Sequence, residues 1–207
     1  MGRFRFTPFQ GTAYRATSYD TPLWVFPNRR PGRWSHPDDG TIAQYCTVDA
    51  AAPMAEFLRY EDLRDPAVAG EARLHVWELH FTEGAVLDLS SPARADDHGI
   101  AWDALVSDDW RICQELGREI LAEGGRGVLS PCAALPGSLS LTVFGPRSAI
   151  EWGAEPRLTI QVRAREILHG APGEGIVAST RFFDMPYPGD VTTPAVAHLL
   201  DPEQAGR

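Results

Sequence analysis

The sequence predicts a mixed α/β fold of the α+β kind, in which short strands and two helices share one core. The first observation is size: a chain of 207 residues, 43% of them hydrophobic, can bury a substantial core and is typical of one domain. The second is that several short segments alternate apolar and polar side chains, as half-buried strands do. The third is that two longer segments repeat apolar residues at helical spacing.

The first half of the chain contains two predicted strands, a long loop and a helix. Residues 11–16 and 41–46 are predicted strands, and the segment between them is rich in proline, glycine and arginine, which predicts a loop. Loops of this length in a compact domain are usually functional or disordered. A helix is predicted over residues 50–60, with Asp49 near its start and Pro53 in its first turn.

The second half contains another helix and the remaining strands. This helix is predicted to open at Ser107, Asp108 and Asp109 and to close at Gly124 and Gly125. Strand patterns are found at residues 74–81, 86–89, 127–129, 140–144, 149–152 and 158–164.

The composition changes near residue 170, which divides the chain into a predicted domain of residues 1–168 and an extension of residues 169–207. The segment that follows residue 169 is rich in glycine and proline, as linkers are. We expect the extension to pack along the domain or on a partner, and a lid or a segment exchanged between protomers is the alternative. This expectation depends on four apolar side chains: Phe182, Phe183, Met185 and Tyr187.

Charge and residue spacing exclude several classes of function. The formal net charge is −9 and there is no basic stripe, which argues against direct binding of nucleic acid. The three cysteines and six histidines lack the spacing of a zinc site or a disulfide framework, so no metal is expected. No apolar run reaches membrane-spanning length and no signal-peptide pattern follows Met1, so a soluble cytoplasmic protein is expected.

Four residues near the start of the chain are the strongest candidates for chemistry. Arg15 lies in the first predicted strand and Arg33 in the long loop. Tyr45 lies in the second strand and Glu56 in the first helix. Arginines bind diphosphates in bidentate geometry, an aromatic hydroxyl can position a sugar or a ring, and a carboxylate can stabilise a developing cation.

The local context of these residues extends over most of the chain. Four motifs follow one another: Tyr14-Arg15, then Gly32-Arg33-Trp34-Ser35, then Tyr45 followed by Glu56, then Ser107-Asp108-Asp109-Trp110 with Gly127-Val128-Leu129-Ser130-Pro131. In this order they resemble the RES domain family, which supplies the toxins of bacterial RES–Xre toxin–antitoxin pairs. The resemblance covers roughly residues 10–165.

The resemblance implies a role for each of the four candidates. Arg15, Tyr45 and Glu56 match the catalytic arginine, tyrosine and glutamate of the family signature. Arg33 matches the arginine of the Gly-Arg-Trp motif, and Arg15 and Arg33 together would bind the substrate diphosphate in bidentate fashion.

The signature serine is where this chain departs from the family pattern. The family commonly has Pro-Ser, whereas Pro131 is followed here by Cys132 and preceded by Ser130. An asparagine position before a later strand is occupied by Ser140. Ser130, Cys132 and Ser140 are therefore the expected binding residues on the nicotinamide side.

The family resemblance also implies a fold and an activity. The fold would resemble ADP-ribosyltransferases of the diphtheria-toxin type, with a split sheet around a cleft. The substrate would be NAD+, cleaved at its nicotinamide–ribose bond either by phosphorolysis, with inorganic phosphate as co-substrate, or by hydrolysis. Transfer of ADP-ribose to a protein stays open, as does a noncatalytic nucleotide-binding module.

The implied partner is an Xre-type antitoxin protein, and a homodimer is also left open. The loop between residues 17 and 40 offers the aromatic and arginine anchors that interfaces favour, namely Trp24, Phe26, Arg29 and Arg30. We expect Arg29 or Arg30 to pair with an antitoxin carboxylate. Alternatively, Trp24 and Phe26 fill the core beneath the loop.

Overall fold

The computed structural model describes residues 2–17, 29–61, 73–145 and 154–163. Within these ranges the strands are β1 (Phe6–Thr17), β2 (Ala43–Thr47), β3 (Arg73–Asp88), β4 (Gly127–Pro131), β5 (Leu139–Phe144) and β6 (Ala154–Arg163). The α-helices are α1 (Ala52–Tyr60), α2 (Pro92–Asp96) and α3 (Arg111–Ala122), and two 3-10 helices span Pro37–Asp39 and Trp102–Leu105.

The strands form one sheet in the order β1-β2-β5-β4-β3-β6, with β1 also paired to β3. One half of the sheet is β2-β5-β4 and the other is β1-β3-β6. The halves meet where β3 runs parallel to β4 and where Tyr14 of β1 pairs with Thr47 of β2. The predicted mixed α+β fold with a split sheet is therefore confirmed.

Strand β3 is longer than expected, because the predicted strands 74–81 and 86–89 are one continuous element. Its ladder with β1 runs from Phe6 opposite Leu87 to Thr17 opposite His75, with a bulge in β1 after Thr7. The long antiparallel pairing with β1 keeps residues 82–85, which separate the two predicted strands, in an extended conformation. Their own sequence pattern does not favour a strand. The same ladder lengthens β1 beyond the predicted 11–16.

Helix α1 agrees with the prediction for residues 50–60. The Asp49 carboxylate accepts a hydrogen bond from the backbone N–H of Ala51 at 3.0 Å, and Pro53 lies in the first turn. Met54 and Leu58, four positions apart, are buried on one face. The opposite border of the helix carries Glu56.

Helix α3 begins at Arg111, later than the acidic residues that were predicted to open it. Ser107 and Asp109 instead accept hydrogen bonds from backbone N–H groups two residues further on, which makes the segment a turn before the helix. The helix ends before Gly124, whose φ of 84° is in the left-handed region that glycine tolerates.

The two faces of the sheet bury separate hydrophobic clusters. One contains Trp34, Leu87 and Phe144 together with residues of α3, and Tyr45 packs against it. The other contains Phe81 and Cys46 among its members. The candidate residues on β1 and β2 therefore divide between the two faces of the sheet.

Several predictions lie outside the described residues. They are the strand at 149–152, the residues Trp24 and Phe26, and the extension at 169–207 with its boundary. None of the described helices has the length and apolar character needed to cross a membrane.

Candidate active site

A pocket of about 410 Å³ opens between α1 and the β2-β5-β4 half of the sheet. Its floor is a row of polar side chains that are register partners on four strands. Tyr14 pairs with Thr47, Thr47 with Ser140, and Ser140 with Ser130. All four line the pocket. Because residues in register point to the same face of a sheet, the row is a direct result of strand pairing.

Glu56 of α1 forms the side of the pocket and is held by a thiol. Its Oε1 accepts a hydrogen bond from Sγ of Cys132 over 3.1 Å. Cys132 is buried and also interacts with the hydroxyl of Ser140. Burial, followed by the charge of Glu56, raises the pKa of the Cys132 thiol well above its usual value. Cys132 is therefore a neutral donor that orients the carboxylate.

The segment 32–35 is a tight turn that is fixed from two sides. The N–H of Gly32 donates to the carbonyl of Ser35 over 2.8 Å, and Nε2 of Gln114 on α3 donates to the carbonyl of Gly32 over 3.0 Å. A Cβ on Gly117 would lie 2.6 Å from the carbonyl oxygen of Trp34, so only glycine permits α3 to pack this closely. The turn buries Trp34 and presents the residue before it to the pocket.

The Tyr45 hydroxyl supports this turn from below. It accepts a hydrogen bond from the N–H of Trp34 over 3.2 Å and shares another with Oγ of Ser35 over 2.9 Å. Burial raises the pKa of Tyr45 to about 12, so the phenol stays protonated at neutral pH. The side chain of Tyr45 lines the pocket while its hydroxyl is bonded to the turn.

Arg33 lies at the mouth of the pocket. Its Nη1 donates to the carbonyl of Ser107 over 2.5 Å, and its guanidinium carbon lies 5.9 Å from the centre of the Trp110 ring. The Trp110 ring is in turn nearly parallel to that of Tyr60, at 7° and 6.2 Å between centroids. A cation and two aromatic rings therefore form one stacked series at the rim.

Arg59 is a second arginine in the lining. It donates to the carbonyl of Ala133 and to Oδ1 of Asp108, each over 2.5 Å, and its side chain is 15% exposed. It follows Glu56 by three positions on α1, and residues three apart share a helix face. Helical spacing from Glu56 was the sequence signal that could have identified Arg59.

Arg15 is not among the residues that line this pocket. Its neighbours Tyr14 and Ala16 do line it, and alternate side chains of a strand point to opposite faces. Arg15 instead hydrogen-bonds the side chain of Gln44. The structure therefore places Arg15 on the other face of the sheet.

The predicted residues Glu56, Arg33, Tyr45, Ser130 and Ser140 are thus brought together, with Cys132 directly behind Glu56. The sequence did not predict site roles for several further lining residues, among them Tyr14, Thr47, Arg59, Tyr60, Trp110 and Thr142. Tyr14 and Trp110 lie inside the motifs already noted, so proximity to those motifs was their only signal. Within the described ranges, no cluster of His, Cys, Asp and Glu side chains could hold a metal ion.

The sequence predicts that Arg29 or Arg30 pairs with an antitoxin carboxylate. Both are exposed, and Arg30 lines the pocket mouth. Nη1 of Arg30 lies 3.0 Å from a carboxylate oxygen of Glu61, at the end of α1. A partner carboxylate at Arg30 would therefore compete with Glu61.

Comparison with known proteins identifies the family. The structure is similar to one in a crystal structure of the M. tuberculosis MbcT–MbcA toxin–antitoxin complex, with a TM-score of 0.63 and 25% sequence identity. The similarity covers 77% of this chain and 87% of that one, and the fold is consistent with the ADP-ribosyltransferase type. No curated protein sequence matches the chain. A sequence model of the RES domain matches residues 8–161, and the chain therefore belongs to the RES domain family.

Proposed function

We propose that this protein is a toxin-like enzyme that cleaves the nicotinamide–ribose bond of NAD+ and is restrained by an antitoxin. The observation that carries the proposal is the Glu56 carboxylate, which is held by the Cys132 thiol inside a pocket with arginines and aromatic rings at its mouth. Family membership and the toxin–antitoxin neighbour support the same function.

A single carboxylate is sufficient for this reaction. Most glycosidases need two, because one must protonate a poor leaving oxygen. The nicotinamide of NAD+ is already a cation and departs as a neutral ring, taking the electron pair of the C1′–N bond. The remaining requirement is to stabilise positive charge on the ribose, and Glu56 supplies a fixed negative charge for this.

The arginines at the mouth suit the diphosphate of NAD+. Arg33 and Arg59 line the pocket, and guanidinium groups bind phosphate oxygens in bidentate fashion. Each is positioned by bonds to main-chain carbonyls, Arg33 by Ser107 and Arg59 by Ala133. Little side-chain freedom is therefore lost when a diphosphate binds.

The acceptor of the ADP-ribosyl group is water or inorganic phosphate in this proposal. An oxygen of the acceptor forms the new bond to C1′ and releases a proton, which gives ADP-ribose or its phosphate ester. Transfer to a protein is the alternative for the same pocket.

An antitoxin that restrains this enzyme has to cover or fill the pocket mouth. Tyr60 at that rim is 42% exposed and stacks on Trp110, so the rim offers an aromatic surface of the kind that interfaces favour. We propose that the partner is an Xre-type protein that contacts this rim.

Purified protein incubated with NAD+ tests the activity directly. We expect NAD+ loss with release of nicotinamide, and chromatography of the products with and without phosphate separates phosphorolysis from hydrolysis. Expression in a bacterial host should lower the NAD+ pool and stop growth. Folded protein that leaves NAD+ intact under all these conditions would contradict the proposal.

A further inference from the structure

The polar row on the pocket floor continues into the other half of the sheet. Tyr14 of β1 pairs with Thr47 of β2 on one side and with Glu78 of β3 on the other. Because register partners point to the same face of a sheet, Glu78 lies on the pocket side. The hydroxyl of Tyr14 donates a hydrogen bond to the Glu78 carboxylate. The row therefore ends in a second carboxylate, which the reaction proposed above does not use.

The Tyr14–Glu78 pair is accessible from the pocket. Both side chains are half-buried, and Tyr14 lines the pocket whereas Glu78 does not. Burial, followed by the charge of Glu78, raises the pKa of Tyr14 above its usual value, so the phenol is protonated at neutral pH. A molecule in the pocket therefore meets a hydroxyl whose own proton is already bonded to a carboxylate.

The pair lies at the end of the floor that is far from the expected nicotinamide side. Helix α1, which carries Glu56, contacts both β1 and β2, so Glu56 and Tyr14 border the pocket from contacting elements. Three strand spacings, or roughly 14 Å, separate Tyr14 from Ser130 along the row. The sequence predicts the nicotinamide side at Ser130 and Cys132. Direct displacement brings the acceptor to C1′ from the side opposite the leaving ring, and hence from the Tyr14 end.

The chemistry of the acceptor decides whether a second proton acceptor is needed. Glu56 has to keep its charge while the ribose becomes positive, so it cannot also take up a proton from the acceptor. Water is a weak nucleophile until a base removes its proton, whereas phosphate dianion attacks through an oxygen that is already ionised. A further base therefore serves hydrolysis and has no part in phosphorolysis.

We propose that Tyr14 and Glu78 form a proton relay that makes water a competent acceptor. The water oxygen bonds to C1′ as the C1′–N bond breaks, and the electron pair of that bond leaves with nicotinamide. The water proton moves to the oxygen of Tyr14, and the Tyr14 proton moves to the Glu78 carboxylate, which later releases it to solvent. The inference rests on the proposed function, since it names the acceptor chemistry of the same pocket.

The first test measures hydrolysis of NAD+ in phosphate-free buffer. Tyr14→Phe keeps the ring and removes the hydroxyl, and Glu78→Gln keeps the shape and removes the charge. Each should lower kcat for ADP-ribose formation about a hundredfold, the lower end of what general bases contribute, while NAD+ affinity measured by calorimetry stays unchanged. Glu115→Gln, at an exposed position of α3, is the control and should behave as wild type. Unchanged kcat, or affinity that falls as much as kcat, would overturn the proposal.

The second test measures how the enzyme divides NAD+ between two acceptors. With excess phosphate present, chromatography gives the ratio of ADP-ribose to its phosphate ester. Tyr14→Phe should lower this ratio about a hundredfold, because only the attack of water needs the relay. An equal loss of both products would show that Tyr14 serves folding or NAD+ binding, and would overturn the proposal.

The wild type separates failure of the relay from failure of the proposed function. NAD+ cleavage that requires phosphate, with no ADP-ribose formed in its absence, would reject the relay and leave the proposed function standing. Folded protein that cleaves NAD+ under neither condition would reject the proposed function and the relay with it. A wild type that forms only ADP-ribose is judged by the first test, in which an undiminished kcat of Tyr14→Phe rejects the relay.

Discussion

The thiol of Cys132 lies 3.1 Å from Oε1 of Glu56 and donates a hydrogen bond to it. Glu56 comes from the first helix and Cys132 from the residue after β4, so this contact joins α1 to the sheet. A thiol is a weaker donor than a hydroxyl, and it orients the carboxylate without neutralising its charge. The departure from the Pro-Ser pattern of the family therefore keeps a donor at this position.

Replacing this donor should change turnover in a graded way. Cys132→Ser keeps a donor and should preserve kcat for NAD+ cleavage, whereas Cys132→Ala should lower kcat about three- to tenfold, as expected for one hydrogen bond. Cys132→Ser serves as the matched control, because it differs from Cys132→Ala in keeping the donor. Equal kcat in Cys132→Ala and the wild type would show that the thiol does not position Glu56.

Removing the charge of Glu56 should abolish most turnover and spare binding. Glu56→Gln keeps the shape of the side chain but loses the charge that meets the cation, which should raise the barrier by about 2–4 kcal/mol. The measurements are kcat, and NAD+ affinity by calorimetry. Glu115→Gln, at an exposed position of α3, should behave as wild type. NAD+ consumption by Glu56→Gln at the wild-type rate would reject Glu56 as the catalytic group.

Arg33 and Arg15 should respond differently to substitution by lysine. Arg33→Lys should weaken NAD+ binding about tenfold or more, because lysine keeps the charge but loses the forked geometry and the stacking on Trp110. Arg15→Lys should leave binding unchanged and reduce stability through the lost bond to Gln44. Calorimetry measures the NAD+ affinity and urea unfolding measures the stability. Weaker NAD+ binding by Arg15→Lys would show that Arg15 belongs to the binding site.

A methyl group at Gly32 should displace the turn that carries Arg33. Its Cβ would lie 2.3 Å from the Tyr45 hydroxyl oxygen, whereas a Cβ on Gly84 would meet nothing within 4 Å. Gly32→Ala should cost about 1–3 kcal/mol of stability and raise KM for NAD+, as overpacking does. Gly84→Ala is the matched control, and urea unfolding with steady-state kinetics provides the comparison. Wild-type stability and KM in Gly32→Ala would show that the turn can move without consequence.

Stability should fall in alkaline solution because buried thiols resist ionisation. Burial raises the pKa of Cys46 from 9.0 to about 12 and that of Cys113 from 9.0 to about 11. The unfolded chain releases these protons at a lower pH than the folded protein does. The free energy of unfolding is therefore unaffected below pH 9 and falls as the pH rises towards the pKa values of the buried thiols. The loss should approach about 1.4 kcal/mol per pH unit for each thiol. Urea unfolding between neutral pH and pH 10.5 measures this slope, which Cys113→Ala should reduce, and a flat profile would contradict the prediction.

The regular elements were largely predictable because their patterns are local. The helix that carries Glu56 has a proline in its first turn and buried residues four apart, and both features can be read from the sequence. The continuity of β3 could not be read in this way, since Glu83 and Gly84 do not favour a strand by themselves. They are extended because β1 pairs along the whole length of β3.

The sequence predicts which segments contribute to the site, but it does not predict which residue of a strand faces the pocket. Tyr14 and Arg15 are adjacent, so one must face the pocket and the other must not, and strand register decides which. The partnership of Tyr14 with Thr47 places Tyr14 on the pocket side. The buried hydroxyl of Thr142 has no sequence signal either, because a hydroxyl without a partner is a property of the packed sheet.

The polar row on the pocket floor also has a consequence for the timing of synthesis. Strand β5 is hydrogen-bonded between β2 and β4, although it is the last of the four floor strands to leave the ribosome. A nascent chain that has reached β4 therefore lacks Ser140 and Thr142 and cannot close the floor. The pocket floor is therefore incomplete until Phe144 has emerged, so any activity of the pocket can begin only after that point.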